Sequence, residues 1–213
     1  MNKYTFPFNS CEIPNENSVS QPYSTSINVI LCLLILYYLS KSDNFYSQLF
    51  LFSLLLLNTF HTFSHFTHIE SEYHIQFLLT HFSAIFGSLC LLLLLQNITG
   101  RSLDLYYICV LSLLYLIDVV LIMYDVSHIY NIILFIIILC IEMILYYPYT
   151  PTIVKTNIKY IIGLTLITLF FMIIEVQYCK KMLEFIPGFP FHSIVELSAF
   201  FPITLLCKTF YKI

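Results

Sequence analysis

One stretch of nine residues concentrates the chemistry: Phe60-His61-Thr62-Phe63-Ser64-His65-Phe66-Thr67-His68. At about 100° per residue in a helix, His61, Ser64, His65 and His68 fall within an arc of about 100°. Three imidazoles and a hydroxyl would then share one face. A second cluster opens the last apolar run, Phe191-His192-Ser193-Ile194-Val195-Glu196. His192 and Glu196 are i,i+4 neighbours on one helical face. Histidine with glutamate is a ligand set for Zn²⁺, and an i,i+4 pair presents two donors to one ion. A catalytic zinc keeps three protein ligands and one water, whose pKa falls toward neutrality. The plainer reading of the same residues is a set of interfacial polar groups at a headgroup boundary.

Other polar residues fall inside apolar runs. His74 and His81 are i,i+7, and His81 can point toward the same site. Asp118, Glu142 and Glu175 lie in three further runs. His81, Asp118 and Glu175 are candidates for substrate contact or for accepting the second N–H of a ligand histidine. An interhelical hydrogen bond is the alternative for each. Glu142 lies nearer the opposite membrane face and stays outside the site.

These residues need elements that hold them in an apolar setting. The chain has 213 residues, 59% of them apolar and only 10% charged. Its mean hydropathy is +0.86. Soluble domains carry roughly 25% charged residues, so this chain cannot build a water-facing surface of its size. The expected fold is all-α, an integral membrane bundle of seven transmembrane helices. Crossing about 30 Å of hydrocarbon takes about 20 residues. The runs that meet this are Ser24–Leu39, Tyr46–His68, Ile75–Gln96, Leu105–Tyr124, Tyr130–Tyr147, Ile158–Val176 and Phe189–Tyr211. Breaks are expected at 40–44, 70–74, 97–104, 125–128, 148–157 and 177–188. Such short connections make consecutive helices antiparallel neighbours. Residues 1–23 form an outer polar segment, and residues 24–213 the membrane domain.

The counts of lysine and arginine set the orientation. With the N-terminus outside, Lys41, Arg101, Lys155, Lys159, Lys208 and Lys212 face inward, and Lys3, Lys180 and Lys181 face outward. Both histidine clusters then lie at outer helix ends, and the sequon at Asn97 faces inward and stays unglycosylated. The polar start lacks the basic and apolar regions of a cleaved signal, so the first span serves as an uncleaved one. The net charge of −3 and the lack of a basic patch argue against a nucleic-acid partner. Of seven cysteines, Cys32, Cys90, Cys109, Cys140 and Cys207 lie in spans as small apolar filler. Cys11 and Cys179 both fall on outer segments, where an oxidising setting favours a disulfide.

Seven helices, an outer N-terminus bearing Cys11-Glu12, Ser64-x3-His68 at the end of the second helix and His192 at the start of the seventh resemble the alkaline ceramidases. That family belongs to a wider superfamily of seven-helix membrane hydrolases that includes the progestin and adipoQ receptors. The resemblance covers nearly the whole chain by topology but only three short motifs by residue. It implies a zinc-dependent lipid amide hydrolase that releases a fatty acid from a sphingoid-type base, in an endomembrane (ER or Golgi) if the source is eukaryotic. It implies zinc held by a histidine of helix 2 with His192 and Glu196, and Ser64 donating to the developing oxyanion. It also implies a Cys11–Cys179 disulfide. Glu196 stands where the family has its second helix 7 histidine, and His61 and His65 are additional. Asn9 and Gln21 replace two of the family's calcium carboxylates. Calcium favours several charged oxygens, so Glu12 alone makes a poor calcium site.

Two other functions fit the same composition. One is a non-catalytic, receptor-like or scaffolding seven-helix protein. The other is a small ion-coupled transporter using Asp118, Glu142 and Glu175. A hydrolase gathers its polar groups at one depth, whereas a transporter spreads them along a path and often breaks its helices with Gly or Pro.

Overall fold

A computed structural model of the chain describes residues 11–67, 75–124 and 128–213. It is all-α, with no strand among the described residues. Helix α1 spans Pro22–Lys41, α2 Phe45–Phe66, α3 Ile75–Thr99, α4 Leu105–Met123, α5 His128–Tyr146, α6 Thr152–Phe185 and α7 His192–Phe210. A 3₁₀ turn, Tyr147–Tyr149, joins α5 to α6. All seven helices are long and apolar enough to cross a membrane. The protein is an integral, multi-pass membrane protein built as a seven-helix bundle.

The helix ends follow from local chemistry. Asn44 caps α2, its side chain accepting from the Tyr46 and Ser47 N–H groups at 2.9 and 3.2 Å. Pro22 opens α1, where its missing N–H costs nothing. Gly100, at φ 64°, closes α3 in the left-handed conformation that glycine adopts without strain. The largest departure from the expected spans is α6. Its 34 residues make a rod of about 51 Å, well beyond the hydrocarbon thickness. Residues 177–185, expected to be a loop, continue the helix. That stretch is polar but contains no Gly or Pro, and the first breakers are Pro187 and Gly188. Polarity ended the apolar run without ending the helix.

Helix α1 packs on α2 and α7, α2 on α3, α3 on α5, and α6 on α7, while α4 lies outside and leans mainly on α5. The apolar core includes Leu31, Phe50, Leu91, Leu94, Ile158 and Phe210. Leu33, Leu113, Leu116, Leu166 and Phe170 are exposed and suit lipid contact. Since lipid tails are as apolar as leucine, polar bonds between helices add specificity to this packing. Glu142 of α5 accepts from Tyr115 of α4 at 2.5 Å and from Ser88 of α3 at 2.9 Å. Asn131 of α5 donates to the Asp118 carbonyl and carboxylate at 3.0 and 2.8 Å. These bonds join α3, α4 and α5.

Candidate metal centre

The last turns of α2 and the first turns of α7 meet at one end of the bundle. His61 and His65 stand one turn apart on α2, and His192 and Glu196 one turn apart on α7. Glu196 Oε1 is the meeting point. It lies 2.9 Å from His61 Nε2, 3.2 Å from His65 Nε2 and 2.8 Å from His192 Nε2. His61 and His65 approach each other at 3.2 Å through their Nε2 atoms. His61, His65 and Glu196 each offer a ligand atom within 4.8 Å of the others. His65 is fully buried, His192 and Glu196 are 5% exposed, and the His61 side chain is 21% exposed.

The far nitrogens of two rings are held by acceptors. His65 Nδ1 donates to Gln21 Oε1 at 2.6 Å. The Gln21 amide is oriented by its own Nε2, which donates to the Glu12 carbonyl at 2.8 Å. His192 Nδ1 donates to the two Glu175 oxygens at 2.8 and 3.0 Å. With the proton on Nδ1, each neutral ring turns the Nε2 lone pair inward. Among the described residues, His192 Nε2 has no hydrogen-bond partner of good geometry, although Glu196 Oε1 lies 2.8 Å away. Electron pairs therefore face an anionic oxygen, an arrangement that requires a cation or a shared proton. Two buried carboxylates, Glu175 and Glu196, flank the same ring, and uncompensated buried charge is costly. Donor atoms about 2.1 Å from a tetrahedral ion stand roughly 3.4 Å apart, close to the spacing here. The residues fit a small divalent cation with nitrogen and oxygen ligands.

Among the described residues of the helix 2 face, the pair brought to Glu196 is His61-x3-His65. The Ser64 hydroxyl donates to the Phe60 carbonyl of its own helix at 3.0 Å. His68 and His74 lie outside the described residues. His81 is buried on α3 and is not in the ligand cluster. Asp118 is held by Asn131 at 2.8 Å, away from the His61–Glu196 cluster's own bonds. Glu175 does sit behind the site, on His192.

Glu12, the candidate calcium ligand, turns its oxygens to the start of α1. Oε1 accepts from the Tyr23 N–H at 3.0 Å and Oε2 from the Ser24 N–H at 3.2 Å and from the Ser24 hydroxyl. The carboxylate therefore answers the open N–H groups and positive dipole of the helix start. Cys11 and Cys179 are disulfide-bonded, with Cα atoms 5.5 Å apart. The sequence reading assigned no role to Gln21 in holding His65. Its one visible mark, a polar residue just before Pro22, does not reveal a contact 44 residues away. Comparison with known family profiles, with characterised proteins and with solved structures finds no match to this chain.

Proposed function

We propose that the chain is a zinc-dependent hydrolase of lipid amides, ceramidase-like in reaction, yielding a fatty acid and a sphingoid-type amine. The observation that carries this reading is the convergence of His61, His65 and His192 on one buried oxygen of Glu196. His65 and Glu196 would hold the ion together with His61, which completes the group of close ligand atoms, or with His192, whose Nε2 lies 2.8 Å from the shared oxygen. A bound zinc supplies Lewis-acid polarisation of a carbonyl and acidifies water near neutral pH. The chain's own groups do the rest. Gln21 and Glu175 keep the two ligand rings turned inward, and the buried helix ends exclude bulk water. His61, the most exposed of the four, stands where substrate arrives and, with His192 as the third ligand, would pass a proton to the departing nitrogen. In the reaction the amide C–N bond breaks, the acyl carbon gains the oxygen of water, and the amine gains a proton.

His61, His65, His192 and Glu196 gather at one end of the bundle, which favours a hydrolase over a coupled transporter. The expected result is fatty acid release from a long-chain N-acyl sphingoid amide by the detergent-solubilised, zinc-loaded chain, stopped by a chelator. A zinc-loaded, folded chain that releases none would point to the receptor-like or scaffolding alternative. The basic residues add the orientation, with the site outward and Ile213 toward the cytoplasm. Tags on the two termini should then be reached from opposite sides of the membrane, and same-side access would refute the topology.

A further inference from the structure

We propose that residues 11–21 are a disulfide-latched strap that holds His65 and His192 in the tautomer able to bind metal, with Gln21 as its positioning residue. This rests on the metal-centre reading for its consequence, but the ring geometry can be tested without metal. One end of the strap is tied to α6 and α7. Cys179 lies one turn beyond Glu175 on α6 and is bonded to Cys11. The Cys11 N–H donates to Glu175 Oε1 at 2.5 Å, the oxygen that also holds His192 Nδ1. The His192 N–H returns a bond of 3.4 Å to the Cys11 carbonyl. The other end is tied to α2. The Ser20 and Gln21 N–H groups donate to the Phe66 and His65 carbonyls at 3.2 and 2.9 Å, and the Gln21 side chain holds His65 Nδ1. Cys11, Glu12, Ser20 and Gln21 are all at most 2% exposed.

The strap thus touches the far nitrogen, or its carboxylate partner, of one ligand ring on each site helix. Partners of this kind fix ring orientation and typically alter metal affinity by about 10–100-fold. The Cys11–Cys179 bond spans 168 residues and is the only covalent tie between the strap and α6. Its loss leaves the Cys11 N–H free to move off Glu175, and with it the set of the His192 ring. The Gln21 end keeps its bonds to Glu12 and to the α2 carbonyls, so reduction acts on the Glu175–His192 end and loss of the Gln21 side chain acts on His65. The latch therefore couples the oxidising or reducing character of the outer compartment to the histidine site.

The test uses the full chain in detergent. Zinc affinity is measured by competition with a chromophoric chelator, before and after treatment with a trialkylphosphine. That reagent becomes the phosphine oxide with the oxygen of water, while the disulfide gains two electrons and two protons. Reduction, the Cys11→Ala/Cys179→Ala double variant and Gln21→Leu should each weaken zinc binding about tenfold or more. Gln21→Glu, which still accepts from Nδ1, should restore affinity to within a few-fold. In parallel, ¹⁵N NMR of the metal-free chain should show the Nδ1–H tautomer for His65 and His192, shifting toward a mixture for His192 on reduction and for His65 in Gln21→Leu. Reduction in place keeps the test available if the double variant does not fold. Ring tautomers that ignore reduction and Gln21→Leu would overturn the strap. Absent zinc binding with tautomers that do respond would leave the strap standing and overturn the metal reading instead.

Discussion

His192→Ala should cost more zinc affinity than the roughly 10–100-fold loss typical of removing an outer partner, and it should take amide hydrolysis to background. The ring is the single link between two buried carboxylates. Its Nε2 faces Glu196 at 2.8 Å and its Nδ1 holds Glu175. Alanine removes a proposed ligand and leaves the carboxylates without the ring between them. Glu175 keeps the Cys11 N–H, but buried carboxylates lose their partner, so the local cost in stability should be about 3–5 kcal/mol. Helix content and membrane insertion should be unchanged, because the apolar core of Leu91, Leu94 and Phe210 lies elsewhere. Zinc retention, far-UV circular dichroism and fatty acid release check this. A His192→Ala chain that keeps its zinc would remove α7's histidine from the centre.

The bundle was readable because membrane helices are long and apolar, and seven runs exceeded the crossing length. Their rotation was harder to read. A helix apolar all round has no strong stripe to say which face turns inward, so only polar residues mark it. On α2 those residues, His61, Ser64, His65 and His68, cover an arc too wide to select one pair. The choice depends on where the helix stops. Thr67 is the C-cap, in extended conformation, with its N–H on the Phe63 carbonyl, so α2 ends at Phe66. The pair on α7 was plainer, since His192 and Glu196 are the polar residues one turn apart at its start. Behind them, Glu175 was among several buried acids and only the fold selects it. Gln21 was out of reach of any local pattern. It acts through a bond between the segment before α1 and the end of α2, and such long-range contacts leave no spacing in the sequence.

The second large effect concerns Glu196. Glu196→Ala removes the oxygen on which three imidazoles converge, and it should abolish stoichiometric zinc binding. Glu196→His should retain it. Histidine at this position supplies a neutral nitrogen one turn from His192, within the range of zinc ligand sets, and it also lowers the buried negative charge beside Glu175. The contrast separates a metal ligand from a carboxylate that serves only as an ion-pair partner. A pairing role would be lost in both variants, because a fourth imidazole carries no negative charge to compensate protonated histidines.

Elemental analysis of the detergent-purified wild-type chain tests the convergence of α2 and α7 on one ion most directly. The account predicts one zinc per chain, absent from Glu196→Ala and His192→Ala preparations with the same helix content. A folded wild-type chain that carries no stoichiometric metal, and takes up none from zinc buffer, would contradict it.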